Sequence, residues 1–274
     1  MNISNLGRRA LVALFGIPLI VSCLYLGGWF LVALVLIINS VSQFEFYKLA
    51  KLKAAHPIQI PAMIIGFFIP ILFYLKGLPS LAPYLALTFV ILFIFELFRT
   101  RPNALLNVAT TVMGIIYPVV FFSFFILIRE FPKTADIPYV NGGLFIIAFV
   151  VIIWICDTAA YFVGRMIGKH KLYYRISPNK TIEGAIAGFI GAILTALLFF
   201  WLFPEVVTLK QALILGAGLG IFSQLGDLVE SAFKRDAGVK DSSAILPGHG
   251  GFLDRFDAPI ISAPLIYFCL TLFH

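Results

Sequence analysis

Acidic side chains in the second half of the chain are the residues best suited to chemistry. Nine of the thirteen Asp and Glu residues lie beyond residue 143, and eight of them are the candidates within or beside apolar runs: Asp157, Glu183, Asp227, Glu230, Asp236, Asp241, Asp254 and Asp257. A charged carboxylate near the centre of a membrane helix costs about 3 kcal/mol, so it usually faces a polar cavity and has a function. Acids that bind a divalent cation, beside bases that neutralise oxyanions, predict phosphoryl-type chemistry on a phosphate ester.

The segment LGIFSQLGDLVESAFKRDAG carries the clearest polar stripe. Ser223, Asp227, Glu230 and Lys234 are spaced at i, i+4, i+7 and i+11, which places them on one face of a helix. Two carboxylates one turn apart suit Mg²⁺, so Asp227 and Glu230 are candidate metal ligands. A solvated helix end would account for Lys234, but it does not account for Asp227, which lies deeper in the apolar stretch.

Asp157 follows an apolar run with no charge for more than three turns. Helical spacing places Asp157, Tyr161 and Arg165 on one face. Asp157 is therefore a further candidate metal ligand, and a structural pair with Arg165 is the alternative.

The last charged segment, residues 231–259, reads SAFKRDAGVKDSSAILPGHGGFLDRFDAP. Its glycines, Gly250 and Gly251 among them, predict tight turns in which the backbone approaches other groups closely. Asp254 and Asp257 are three residues apart, so on a helical turn they share a face.

A second basic segment, RMIGKHKLYYRISPNKTIEG, precedes another apolar run. Ser177 is predicted to cap a helix that has Pro178 at its first position. The free N–H groups of that turn, together with Lys180, would hold a phosphate. For Lys169 and Lys171, contact with anionic lipid headgroups is the alternative.

The composition shows what must position these residues. Of the 274 residues, 61% are hydrophobic and only 12% are charged, whereas soluble domains have about 25% charged residues. A soluble enzyme, a disordered chain and a nucleic-acid-binding protein are therefore excluded, and the net charge of +7 fits a membrane protein with basic loops. The three cysteines lie in apolar runs without metal-ligand spacing and are expected to be buried hydrophobes.

Crossing a bilayer takes about 20 apolar residues. Nine runs are long enough: 10–26, 29–47, 60–75, 81–98, 108–128, 143–164, 182–203, 211–233 and 258–273. The first run follows two arginines, as in a signal peptide, but a membrane helix is the favoured interpretation. We therefore expect an all-α, polytopic bundle of about nine spans.

Loop charges set the expected orientation. With the N-terminus inside, only four of the 20 Lys and Arg residues lie outside: Lys76, Arg129, Lys133 and Lys210. The chain is then divided by role into membrane scaffold helices, residues 1–142, and a catalytic region, residues 143–274. Its loops 165–181 and 234–257 are expected to face the cytoplasm.

The segment from Ser231 to Asp257, here called the signature segment, resembles the signature of the phosphatidate cytidylyltransferase family. The matching positions are Ser231, Phe233-Lys234-Arg235, Lys240-Asp241, Ser243, Leu246-Pro247, His249-Gly250-Gly251-Phe252 and Asp254-Arg255-Phe256-Asp257. Ser177–Thr181 and Gly226-Asp227 are similar to further family elements.

The resemblance implies transfer of CMP from CTP to phosphatidate, with Mg²⁺ as cofactor, by a homodimer in the inner membrane whose active site faces the cytoplasm. The implied catalytic residues are Asp227, Asp254, Lys234 and Arg235. The implied substrate-binding residues are Ser177, Lys180, Lys240, His249, Gly250, Gly251 and Arg255. The metal ligands expected from the residues and the resemblance together are Asp227, Asp254, Asp257, Asp157 and Glu230.

Two other functions fit parts of the pattern. A CTP-dependent kinase of polyprenol or dolichol type would move the γ-phosphate and release CDP. An ion-coupled transporter would use Asp157 and Asp227 within the membrane, but such carriers are commonly built from internal repeats, which are not evident here.

Overall fold

The computed structural model describes residues 5–132, 138–245 and 250–273. Long helices dominate these ranges: α1 (Asn5–Leu26), α2 (Gly28–Lys51), α3 (Gln59–Lys76), α4 (Leu81–Leu97), α5 (Ala104–Ile115), α6 (Phe121–Glu130), α7 (Tyr139–Ile167), α8 (Ile182–Leu202), α9 (Leu209–Asp236) and α10 (Leu253–Phe273). Two short strands, β1 (Lys171–Tyr173) and β2 (Ser177–Thr181), form a hairpin between α7 and α8.

Eight candidate membrane spans are found within the described residues. They are Gly28–Lys51, Gln59–Lys76, Leu78–Leu97, Ala104–Glu130, Tyr139–Ile167, Ile182–Leu202, Leu209–Asp236 and Leu253–Leu272. The predicted all-α, polytopic membrane fold is confirmed, and the chain is an integral membrane protein. The predicted span 10–26 falls within α1, where Leu14–Leu26 is a shorter apolar helix. A ninth span and the inside position of the N-terminus stay predictions.

The expected break between the first two apolar runs occurs at two glycines. Gly27 has a φ of 68° and Gly28 a φ of 55°, in the left-handed region that residues with a Cβ rarely adopt. The chain therefore turns between α1 and α2 instead of forming one long helix.

The predicted run 108–128 lies within the span Ala104–Glu130, which is made of three pieces. A π-helical turn, Ile116–Val120, joins α5 to α6. Pro118 lies inside this turn and has no N–H to donate, which is a common cause of such irregularities.

The predicted helix start at Ser177 and Pro178 is wrong. Both residues lie in β2, whose Ser177 pairs with Tyr173 of β1. In a two-stranded sheet each strand is an edge, where the missing N–H of a proline is tolerated. Thr181 caps α8 instead, because its Oγ1 accepts a hydrogen bond from the backbone N–H of Gly184 at 3.2 Å.

The chain forms two compact units, and three helices contribute to both. The first unit contains the residues up to Leu127 together with Phe233–Phe256, and the second contains Ile128–Ala232 together with the residues from Asp257 onward. The predicted division into 1–142 and 143–274 is one of role rather than of packing, so it stays a prediction.

Candidate active site

Close packing of α7 against α8 brings polar residues of the second unit together. A Cβ on Gly184 would lie 2.6 Å from the carbonyl oxygen of Ala160, and one on Gly188 would lie 2.9 Å from that of Cys156. Only glycine permits such a close approach of two membrane helices. The approach places Asp157 of α7 near the residues that precede α8.

Asp227 of α9 is the centre of this polar group. The Nζ of Lys180 lies 2.7 Å from Oδ2 of Asp227, and the hydroxyl of Ser231 donates to Oδ1 at 3.2 Å. Asp157 lies close enough for the charges of both Asp227 and Lys180 to act on it. We call these four residues the Asp227 cluster.

The Asp227 cluster is open to ligands. The Asp227 side chain is 39% exposed and that of Lys180 is 26% exposed. Two neighbouring carboxylates repel each other, and one ammonium group does not fully neutralise them. Such a group can bind a cation through a carboxylate together with water, while the ammonium is placed to bind a phosphate oxygen.

The alternative pairing of Asp157 with Arg165 does not describe the geometry. Arg165 Nη1 instead donates to the hydroxyl of Tyr161 at 3.0 Å, along the exposed end of α7. Asp157 therefore has Asp227 and Lys180 as its charged neighbours.

Glu183 fastens the β-hairpin to the start of α8. Its carboxylate accepts hydrogen bonds from the backbone N–H groups of Lys169 at 3.1 Å and His170 at 3.2 Å. It also contacts Nδ1 of His170 at 2.6 Å. These bonds fix the segment that ends in Lys180.

The signature segment is organised by Asp254, in the first turn of α10. Lys234, in the last turn of α9, places its Nζ 2.7 Å from Oδ1 of Asp254, and the two side chains are only 12% and 5% exposed. Oδ2 of Asp254 accepts from the backbone N–H of Gly251 at 2.7 Å and from the N–H and hydroxyl of Ser242, each at 3.0 Å. We call these four residues the Asp254 cluster.

The two glycines predicted to allow close approach do so. Gly250 has a φ of 85°, and a Cβ there would lie 2.7 Å from Oδ2 of Asp254. A Cβ on Gly251 would lie 2.1 Å from Oγ of Ser242. Any larger residue at position 251 would therefore displace the hydroxyl that binds Asp254.

Glu45 of α2 is a residue that the sequence analysis missed. It is fully buried and accepts hydrogen bonds from the backbone N–H of Leu253 at 2.7 Å and from the hydroxyl of Ser243 at 2.5 Å. It lies within the predicted span 29–47, near its end and before several lysines, and was not singled out as a candidate site residue. The cost of placing a carboxylate within that run was the signal that could have identified it.

Three predicted cationic residues lie at the surface of the first unit. Arg235, Lys240 and Arg255 are exposed, and Nη1 of Arg235 donates to the carbonyl oxygen of Val239 at 3.1 Å. They are accessible to an anion that arrives from water.

The other predicted residues are placed as follows. Glu230 is fully buried in α9, while Ser177 is partly exposed in β2. Asp257 accepts a hydrogen bond from the backbone N–H of Ala258 at 2.8 Å. His249 lies outside the described residues.

The ligand requirements of Mg²⁺ distinguish between these acids. Among the residues that the structure describes, no group of three or more His, Cys, Asp or Glu side chains could hold a metal ion. Mg²⁺ is, however, usually bound by one or two carboxylates together with water and substrate phosphates. Asp157 and Asp227 fit that pattern. The carboxylate of Asp254 is already engaged by Lys234, Ser242 and Gly251, so its role as a ligand stays a prediction.

Carboxylates in membrane-spanning helices, with lysines paired to them, are the arrangement expected of a membrane-embedded enzyme that acts on phosphate esters. More particularly, the chain belongs to the cytidylyltransferase family, whose family model matches residues 7–273. It is 37% identical to the phosphatidate cytidylyltransferase of Bacillus subtilis, over 88% of both chains. It is 35% identical to that of Staphylococcus aureus, over 94% of this chain and 96% of the relative. It is 30% identical to that of Synechocystis, over 97% and 96%.

Proposed function

We propose that the protein is a phosphatidate cytidylyltransferase, which transfers CMP from CTP to phosphatidate and forms CDP-diacylglycerol and pyrophosphate. Similarity over 88–97% of this chain to proteins with this name supports the proposal. The structural observation that carries it is the 2.7 Å pair of Lys180, in the β-hairpin, and Asp227, with Asp157 close by; both aspartates lie in membrane-spanning helices.

The reaction is an in-line displacement at phosphorus. A phosphate oxygen of phosphatidate attacks the α-phosphorus of CTP, and the bond from that phosphorus to the bridging oxygen of the β-phosphate breaks. Pyrophosphate leaves with the bonding electrons. The nucleophile is already an anion at neutral pH, so the barrier is the repulsion between two anions rather than the removal of a proton.

The residues of this chain reduce that repulsion. Lys180 is placed to move from Asp227 to a phosphate oxygen of the substrate. Lys234 binds Asp254 within the signature segment. The exposed cations Arg235, Lys240 and Arg255 attract CTP from solution. Fixed positive groups in a partly dry site stabilise the developing charge more than water does.

Mg²⁺ is part of the proposal. Asp157 and Asp227 would hold it, and when bound it supplies charge neutralisation and Lewis-acid polarisation of the phosphates. Without the ion, the two carboxylates would repel the triphosphate, so the proposed activity depends on the cation.

The proposed location follows from the substrates. The acyl chains of phosphatidate stay in the bilayer, whereas CTP comes from water, so the reaction takes place at the inner face of the cytoplasmic membrane. The charge distribution of the loops supports this orientation. We also propose a homodimer, which light scattering of the purified protein would test.

The proposal is tested with purified protein, phosphatidate, labelled CTP and Mg²⁺. The expected products are CDP-diacylglycerol and pyrophosphate in equal amounts, and chelation of the metal should stop their formation. Release of CDP with a phosphorylated lipid would instead identify a CTP-dependent kinase and contradict the proposal.

A further inference from the structure

Glu45 is a buried carboxylate whose two oxygens both bind the signature segment. Oε1 accepts from the hydroxyl of Ser243 at 2.5 Å and from the backbone N–H of Phe252 at 3.1 Å. Oε2 accepts from the backbone N–H of Leu253 at 2.7 Å. The Glu45 side chain comes from α2, about two hundred residues away in the chain. A buried acid is expensive unless such donors compensate it, so these bonds hold both partners in place.

Two of these donors lie at the start of α10. The first N–H groups of a helix have no partner within that helix, and a negative charge is favourable there. Glu45 therefore caps α10 from another helix. Because Asp254 is the second residue of α10, the cap sets the position of the residue that binds Lys234.

Glu45 and Asp254 also hold the same two residues between them. The hydroxyl of Ser242 lies 3.4 Å from Oε2 of Glu45 and 3.0 Å from Oδ2 of Asp254. A Cβ on Gly251 would lie 2.6 Å from Oε1 of Glu45, while the N–H of Gly251 donates to Asp254. A shift of the Glu45 carboxylate would therefore be transmitted to Asp254 through Ser242 and Gly251.

We infer that Glu45 is a positioning residue for CMP transfer, acting through Ser242 and Gly251 to hold Asp254 against Lys234. The inference rests on the proposed function. Glu45 is fully buried, so it acts on the reaction through these neighbours rather than by touching substrate. It gives the N-terminal helices an indirect part in the reaction, beyond the scaffold role expected for residues 1–142.

The substitution Glu45→Gln tests this sharply because it keeps the shape of the side chain. In one orientation the amide nitrogen would face the N–H of Phe252, and in the other it would face the N–H of Leu253. A backbone donor loses its acceptor in either case. A displacement of catalytic groups by about 1 Å can cost on the order of 100-fold in rate, so we expect kcat per folded molecule to fall on the order of 10- to 100-fold.

Glu96→Gln is the matched control. Glu96 is also a buried acid of the first unit, and it binds Arg99 at 2.7 Å and Asn107 at 2.7 Å rather than the signature segment. Both variants and the wild type are compared in detergent by kcat, melting temperature and amide hydrogen exchange of the peptide that contains Phe252 and Leu253.

The inference predicts faster exchange of that peptide and a lower kcat in Glu45→Gln, with both near wild type in Glu96→Gln. Normal kcat or unchanged exchange in Glu45→Gln would overturn it. So would equal losses of kcat in the two variants that follow their melting temperatures, since Glu45 would then serve stability alone. If the wild type transferred no CMP, the proposed function would be wrong. Faster exchange in Glu45→Gln would then still show that Glu45 holds the start of α10, so the two failures can be distinguished.

Discussion

The Asp227 cluster and the Asp254 cluster use the same residue types in opposite ways. Each contains an aspartate with a lysine at 2.7 Å. The Asp227 side chain is 39% exposed and has a second carboxylate near it, whereas the Asp254 side chain is 5% exposed and accepts three further hydrogen bonds from Ser242 and Gly251. An exposed carboxylate with few hydrogen bonds is available to bind a ligand. A buried carboxylate whose oxygens already accept several hydrogen bonds instead holds a loop in its conformation.

This difference separates two effects of mutation. Removing the charge of an exposed, weakly engaged acid should affect activity without affecting stability, because surface ion pairs contribute little to folding. Removing the charge of a buried, fully engaged acid should affect both. A variant of Asp227 that loses stability, together with a variant of Asp254 that keeps it, would contradict this difference.

The largest effect is expected for Asp227→Asn. The variant keeps the size of the side chain but removes the charge that faces Lys180 and the proposed Mg²⁺. Turnover should fall on the order of 100- to 1,000-fold, as it does when one electrostatic contact to the transition state is lost. The melting temperature should stay near that of the wild type. Near-normal turnover in detergent would contradict the proposed role of Asp227 in metal binding.

Asp254→Asn should lose both activity and stability. An amide at this position removes the carboxylate that pairs with Lys234 in a nearly buried site, and breaking such a buried ion pair typically costs about 3–5 kcal/mol. Turnover should fall on the order of 100-fold, and the thermal unfolding midpoint should drop clearly below that of Asp227→Asn. Equal midpoints for the two variants would remove the distinction between the clusters.

Gly251→Ala should have a smaller, local effect. The added methyl group would displace the hydroxyl of Ser242, so the bond to Asp254 lengthens and turnover falls on the order of tenfold. Gly16→Ala is the control, since a Cβ at position 16 meets nothing within 4 Å. Steady-state kinetics of both variants would measure the contrast, and a fully active Gly251→Ala would show that the loop tolerates displacement.

Lys48→Ala should have the smallest effect. Lys48 is exposed on α2, and its Nζ lies 4.5 Å from the centroid of the ring of Phe44, a residue of neither cluster. Glu45, three residues earlier in the chain, binds the signature segment instead. CMP transfer by the variant should match the wild type, and a severe loss would place part of the reaction on the outer face of α2.

The helices were predictable because their apolar runs are local in sequence. The break at Gly27 and Gly28 and the runs that became α2 to α10 follow from hydropathy and from two glycines. The close approach at Gly250 and Gly251 was also predictable from residue type, since both lie among the turn-forming residues of the signature segment.

The features that were missed depend on contacts between distant residues. The strand at Ser177–Thr181 forms by pairing with β1, and a Ser-Pro pair that also suits a helix start gave no local sign of it. Glu45 gains its importance from partners about two hundred residues away. The expectation that Asp227 and Asp254 bind one cation together stays a prediction.

The most direct measurement compares pyrophosphate release by the purified wild type and Asp227→Asn with phosphatidate, CTP and Mg²⁺. We expect metal-dependent release of pyrophosphate by the wild type, matched by CDP-diacylglycerol. We expect a loss on the order of 100-fold or more in Asp227→Asn, with an unchanged unfolding temperature. Equal release by the two proteins would show that Asp227 does not provide a metal-binding carboxylate for nucleotidyl transfer.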